Sequence, residues 1–220
     1  RACRATLHVV GTASQSDTCV FEEEDAAFML DVAATKDRHW LTINSNARSC
    51  SEVRLISTSR PHDPPRLVAP REPNVSYFVE RLADGWLLLV ANTALAALAE
   101  SSLPAGREAW LPLLPPDPSL VLDDVDVFAN WLVLCERRAA VPSLRALRIE
   151  AAGGTAGGTA SGAAAPPVLR PGPPLMLPSL GGPCAIRPRP NRSHTSEKYL
   201  FEYSTPSRAA GTYAYHMPTG

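Results

Sequence analysis

The chain of 220 residues lacks an apolar run long enough to cross a bilayer. Its longest, Trp86 to Ala99, has 14 residues and is broken by Asn92 and Thr93, whereas a spanning helix needs about 20. It also lacks an excess of charge: 21 Lys and Arg against 22 Asp and Glu leave a formal net charge of −1. The polybasic footprint of nucleic-acid or membrane-surface binding is therefore missing, and neither is expected as a partner. No C-x-x-C occurs among the five cysteines (Cys3, Cys19, Cys50, Cys135, Cys184), which are odd in number and spread over the whole length. That argues against a disulfide framework and a zinc site and fits a reducing compartment, so a soluble, cytoplasmic protein is expected. No signal-peptide pattern of basic end, apolar core and small-residue cleavage site is seen. The chain opens at Arg1 rather than Met and reads as an internal fragment.

Proline is what the chain has in quantity, 22 of 220 residues, twice the usual ~5%, and that argues against long helices. An internal repeat runs through it. Trp40-Leu41, Trp86-Leu87 and Trp131-Leu132 stand 46 and 45 residues apart, and Tyr199-Leu200 follows at 68. The extra length of the last interval is accounted for by residues 151–183, a Gly/Ala/Thr-rich stretch and then a Pro-rich run. Such composition buries too little side chain to offset chain entropy, so 151–183 is expected to be a mobile insertion.

Each pair has similar surroundings. An apolar strand candidate precedes it (Phe28 to Val32, Tyr77 to Leu82, Leu122 to Phe128), then a polar turn. The aromatic-leucine strand comes next (Trp40 to Asn44, Trp86 to Ala91, Trp131 to Glu136, Tyr199 to Ser204). A third strand follows in three copies, at Val53 to Ile56, Leu144 to Ile149 and Thr212 to Tyr215, while Ala94 to Glu100 in the second copy reads equally as a helical turn. Leu67 to Ala69 and Trp110 to Leu114 are weak fourth strands, confined by proline to an edge. Short antiparallel strands recurring every 45 residues or so are the signature of propeller blades, whose faces are buried only against neighbouring blades. The predicted fold is all-β, an incomplete β-propeller of about four blades, an arc of a larger ring. In that arrangement Trp40, Trp86, Trp131 and Tyr199 pack between blades rather than around a ligand.

Several segments resemble a known family. They are Val20 to Phe28 with its run Glu22-Glu23-Glu24-Asp25, the strand Ser51 to Ile56, Trp131 to Arg138 with Leu144-Arg145, and the closing Phe201-x-Tyr203-Ser204-Thr205-Pro206, Tyr213-x-Tyr215 and Pro218-Thr219-Gly220. In order and spacing they look like the N-terminal propeller of oligopeptidase B, a branch of the prolyl oligopeptidase family. The resemblance covers nearly the whole chain except 151–183, making residues 1–220 part of a ring of about seven blades. It implies a serine-type peptidase of short peptides, cleaving after Arg or Lys, whose propeller covers the active site and refuses folded proteins. It also implies an α/β-hydrolase domain as partner, which holds the nucleophile, acid and histidine, so no catalytic residue can be carried onto this chain.

The residues agree with that assignment. A hydrolase of this kind needs G-x-S-x-G to expose its serine on a strained turn, and none occurs here. The nearest match, Gly158-Thr159-Ala160-Ser161-Gly162, has its serine one place late in low-complexity sequence. The histidines His8, His39, His62, His194 and His216 show no H-x-x-x-H spacing, and Asp123, Asp124 and Asp126 lack the glycine and distal glutamate of a calcium loop, so no metal or cofactor is expected. Glu22-Glu23-Glu24-Asp25 reads as a solvated loop guarding a strand edge or, more sharply, as an acidic mouth. Cys135 reads as a small buried apolar residue, and Cys19 and Cys50 as the more reactive thiols.

If the first strand of each blade lines the channel, Asp31, Glu80, Asp123, Asp124 and Asp126 are the candidate gating residues, drawing basic peptides in. The plainer reading pairs them with neighbouring arginines. A free-standing propeller that scaffolds protein interactions is the alternative from another class, since fold does not settle function. Sequence beyond Gly220 separates the two.

Overall fold

The structure, a computed structural model, describes residues 3–92, 94–115, 117–150, 165–173, 175 and 183–220. It forms two compact units, Arg1–Leu114 and Pro115–Gly220. Among the described residues all regular structure is strand except for three single-turn 3-10 segments, so the all-β expectation holds.

The first unit begins with a hairpin of β1 (Cys3–Leu7) and β2 (Thr18–Glu23). Its second sheet is the meander β3 (Met29–Ala34), β4 (Trp40–Asn46), β5 (Ser51–Ser57) and β6 (Arg66–Leu67). The third runs β7 (Tyr77–Ala83), β8 (Trp86–Ala91), β9 (Leu95–Ala99) and β10 (Leu111–Pro112). The second unit holds β11 (Leu120–Val127), β12 (Trp131–Arg138), β13 (Val141–Glu150) and β14 (Val168–Pro171), then β15 (Ala185–Pro188), β16 (Lys198–Thr205) and β17 (Arg208–His216). Every pairing is antiparallel between consecutive strands, the blade pattern of a propeller.

The aromatic-leucine pairs mark the second strand of each sheet. Trp40, Trp86 and Trp131 are the first residues of β4, β8 and β12, and Tyr199 is the second residue of β16. All four rings are at most 8% exposed. Trp40 packs with Val53, Leu55, Tyr77, Val79 and Leu89, between the second and third sheets. Trp131 packs with Tyr199, Phe201, Tyr203 and Tyr215, between the two sheets of the second unit. At Trp40, Trp131 and Tyr199 the repeat therefore serves packing between sheets of one unit.

Three expectations are corrected. Leu95–Ala99 is a strand and only Glu100–Ser102 beyond it is a helical turn. Four of the five β9 residues are buried, so the strand reads as a continuous apolar run rather than an alternation. The stretch 151–183 is not all insertion, because Val168–Pro171 pairs with β13 from Glu150↔Val168 to Leu147↔Pro171 and closes the third meander. Residues 151–164 lie outside those described. Finally, the last sheet has a first strand, β15, which pairs from Ala185↔Ser204 to Pro188↔Phe201 and which the proline-framed sequence hid.

Candidate functional site

The first strands β3, β7 and β11 carry the acidic candidates, and these fall into two kinds. Asp31 is exposed on β3, opposite Asn44 of β4, with no partner among the described residues. It lines a cleft of about 330 Å³ together with Asn44, Asn46, Ser51, Ser76, Tyr77 and Phe78. The wall of that cleft is held by bonds between the two sheets. Ser51 Oγ donates to the Tyr77 carbonyl at 2.8 Å and accepts the Tyr77 N–H at 2.7 Å, while the Tyr77 hydroxyl donates to the Ala69 carbonyl at 3.0 Å. Burial pushes that phenol up to about 12, against hydrogen bonds that pull it down.

The remaining acids are engaged in structure. Glu80 is half-buried on β7 and accepts the Lys36 N–H at 2.9 Å, tying the β3–β4 turn to the third sheet. Beside it Arg81 reaches Asp37 at 2.9 Å, Asp84 at 2.6 Å and Glu100 at 3.5 Å, and Trp40 Nε1–H donates to Glu100 at 3.1 Å. Burial raises the Asp37 carboxyl, but donation from the His39 N–H, the Thr35 hydroxyl and Arg81 outweighs it and holds the group below the usual carboxylate range.

In the second unit a bulge between Leu122 and Asp124 turns Asp123 out, where Arg137 takes it in two bonds of 2.6 Å. Asp124 Oδ1 accepts the Val125 N–H at 2.9 Å. Burial, then the charges of Asp126 and Asp124, push the Tyr199 phenol above its ordinary range. Burial, then Asp123 and Asp124, push the Cys135 thiol up to about 11. Cys135 is 4% exposed in the core, an inert position, whereas Cys19 is exposed and Cys50 half-buried.

The acidic run is divided: Glu24 and Asp25 are exposed beyond the end of β2, as in a solvated loop, whereas the first two residues are part of a strand. Glu22 and Glu23 belong to β2, Glu22 pairs with Arg4 at 2.9 Å, and Glu23 is only 4% exposed. Glu23 is bonded to Arg71, which also lies 3.5 Å from Glu52 and over the Phe28 ring at 3.8 Å. Burial acts to raise the Glu23 carboxyl, but the donors around it, with Arg71 among them, hold it below the ordinary value. Arg71 and Arg81 were not among the sequence candidates, yet they are the hubs of the first unit.

Among the described residues no group of three His, Cys, Asp or Glu is placed to hold a metal, and no helix is long and apolar enough to cross a membrane. Ser161 lies outside those residues. What the arrangement offers is hydrogen-bonded sheets with a cleft in which the Asp31 carboxylate has no partner among the described residues.

Antiparallel meander sheets of this order, each with a buried aromatic recurring on its second strand, define a partial β-propeller. Residues 3–163 match the N-terminal beta-propeller domain of prolyl oligopeptidases, and the chain belongs to that family. A prolyl endopeptidase-like protein of Xenopus laevis is 32% identical over 118 residues, 52% of this chain and 16% of that protein. Dipeptidyl aminopeptidase BI of Pseudoxanthomonas mexicana is 25% identical over 150 residues, 67% of this chain and 21% of that one. Among solved structures, oligopeptidase B from Trypanosoma brucei with covalently bound antipain, in its closed form, superposes with a TM-score of 0.75 at 20% identity over 99% of this chain and 30% of that chain. The chain thus spans about a fifth or less of the curated relatives and under a third of the solved structure.

Proposed function

We propose that this chain is the substrate-gating propeller of a serine-type oligopeptidase of the oligopeptidase B branch, working in the cytoplasm on short peptides cleaved after Arg or Lys. Its partner is an α/β-hydrolase domain that carries the nucleophile, the acid and the histidine. The propeller makes no covalent contribution; it selects what reaches the catalytic groups.

The match of residues 3–163 to the prolyl oligopeptidase propeller carries this reading. Two further features support it. The 220 residues contain no G-x-S-x-G, so chemistry has to come from elsewhere. The first strands expose carboxylates, with Asp31 having no partner among the described residues. A carboxylate at 4 Å from a cation in water gains only about 1 kcal/mol, which is steering rather than tight holding.

Two measurements test the proposal. Reading the coding sequence onward from Gly220 is the first: an α/β-hydrolase pattern with G-x-S-x-G supports it, and a stop codon or propeller strands alone overturn it in favour of an interaction scaffold. The second is kinetic. In the enzyme with both domains, Asp31→Asn lowers kcat/KM for arginyl peptides mainly at low salt and leaves kcat unchanged. An equal loss for neutral peptides overturns the steering role.

A further inference from the structure

We infer that the cleft lined by Asp31, Asn44, Asn46, Ser76 and Phe78 is a binding site for a carbohydrate, a neutral ring carrying hydroxyls on adjacent carbons. The cleft lies within the first unit, and the inference stands whether or not the chain is joined to a hydrolase.

The ladder brings the polar groups together. Asp31 of β3 is the direct partner of Asn44 on β4, and Asn46 lies two residues further along on the same face. The Ser51 hydroxyl and the Tyr77 hydroxyl and N–H are spent on bonds that join the two sheets, so they form wall rather than site. What stays open is mixed in kind. Asp31 is an exposed acceptor with no partner among the described residues. The Asn46 amide and the Ser76 hydroxyl can each donate and accept, and neither is engaged among the described residues. Asn44 donates through Nδ2 to Thr42 Oγ1 at 3.2 Å, while its Oδ1 is out of water and has no hydrogen-bond partner. Buried acceptors are nearly always satisfied. A donor entering beside Asp31, with a turn of the Asn44 amide about its last torsion, supplies the missing bond.

A ligand that answers this set has to donate to Asp31 and Asn44 and accept from Asn46. A hydroxyl does both from one atom. Two hydroxyls on neighbouring ring carbons span the two oxygens of one carboxylate, and the others reach the amide and the serine. An anion is repelled by Asp31. An organic cation has only donors to give, so the Asn46 N–H groups gain nothing from it. A metal ion meets a single carboxylate where hard cations take six or more oxygens, several of them charged. The volume, about 330 Å³, is at the small end of ligand pockets, roughly 300–1,000 Å³, and holds one or two sugar rings rather than a length of peptide. Phe78, 45% exposed in the lining, adds apolar ring surface on which the C–H face of a sugar can rest.

The test follows the isotope-labelled 220-residue chain by NMR as methyl α-mannopyranoside, methyl β-glucopyranoside or cyclohexanol, a ring with a single hydroxyl, is added. At least one glycoside should shift the backbone amides of Asp31, Asn44, Asn46, Ser76 and Phe78, and cyclohexanol should not. High salt should leave that affinity unchanged, because the ligand carries no charge to screen, and this separates holding a sugar from steering a cation. Asp31→Asn and Asn46→Ala, both at exposed positions with no bond to lose, should each weaken binding about fivefold, the worth of one net hydrogen bond. N-acetyl-serine amide bearing the same sugar on its hydroxyl names the source: tighter binding than the methyl glycoside means a glycopeptide, equal binding a free sugar. No shift with either glycoside, an equal response to cyclohexanol, or unchanged affinity in both variants overturns the inference. So does a stronger response of these amides to calcium chloride or to N-acetyl-arginine amide than to the glycosides. None of those outcomes touches the coding-sequence test of the gating role.

Discussion

Trp40 in the first unit and Trp131 in the second occupy the same place on the second strand of their sheets, and each is buried against the sheet that follows. What holds the sheets together around them differs. In the first unit, charge spans the seams: Arg81 of β7 reaches Asp37 in the β3–β4 turn, and Arg71 joins Glu23 of the leading hairpin to Glu52 of β5. In the second unit the ion pairs Asp123–Arg137, Glu136–Arg145 and Glu150–Arg170 run between strands of one sheet. Its seam is aromatic: Phe128 meets Tyr199 of β16 edge-on at 6.3 Å across it, and behind that contact, within the last sheet, Tyr199 stacks on Phe201 at 6.5 Å and Phe201 on Tyr213 at 5.8 Å. One blade plan thus tolerates two kinds of adhesive, one sensitive to protons and one to volume.

Removing volume from the second unit should cost most. Phe201→Ala empties a ring that is 3% exposed and should lose about 3–5 kcal/mol in urea unfolding. Hydrogen exchange should quicken in β12 to β17 and stay nearly unchanged in β4 to β8. Equal quickening in both units would break the comparison.

Arg71→Met should come next, at about 2 kcal/mol at neutral pH, because it leaves Glu23 buried without its cation. The half-exposed arginine keeps the figure below that of a fully buried pair. Glu23 and Asp37 are both held below the ordinary carboxylate range, so the stability they add is full above the unfolded value, about 4, and fades as pH falls through the folded one. The wild type should therefore lose exchange protection in the first unit before the second on acidification. Glu23→Gln combined with Arg71→Met should restore much of the stability; failure to do so would assign the loss to packing.

A smaller effect is expected at Gly172, where an added Cβ would come within 2.7 Å of the Trp131 ring and 3.1 Å of the Ala146 carbonyl. Gly172→Ala should cost about 1–2 kcal/mol by overpacking the aromatic seam, read as a shift of the urea midpoint. Smallest of all is Asp123→Asn. Its partner Arg137 is a surface side chain, and such pairs contribute little, so thermal unfolding should match the wild type at ordinary salt. A clear loss would show that the second unit also leans on charge.

How much of this was legible in the sequence follows from the range of each interaction. The aromatic-leucine spacing located β4, β8, β12 and β16 within two residues of their observed ends, because a buried second strand writes its pattern locally. The hairpin at Ala139-Ala140 left no trace, since both residues adopt positive φ, at 48° and 65°, without the Gly or Asn that announces such a turn. Arg71 and Arg81 were silent for another reason. Their partners Glu23 and Asp37 lie 48 and 44 residues away, and no periodicity encodes a pairing made only when sheets stack. Glu23 looked solvated because its neighbours in sequence are acidic, while the arginine bonded to it lies 48 residues further on. Asp31 and Asp123 looked alike on paper. The bulge that hands Asp123 to Arg137 is a backbone event that residue type does not announce.

The register of β14 has an engineering consequence. Glu150 and Val168 are direct partners across the ladder, so the two ends of the connection are clamped one strand spacing apart, about 4.8 Å. Doubling the length of a loop costs only about 0.6 kcal/mol, and neither end can drift while β13 and β14 stay paired. The third meander is thereby a ready graft port, into which a fluorescent or affinity module whose own termini lie close together can be spliced without shifting any strand on either side.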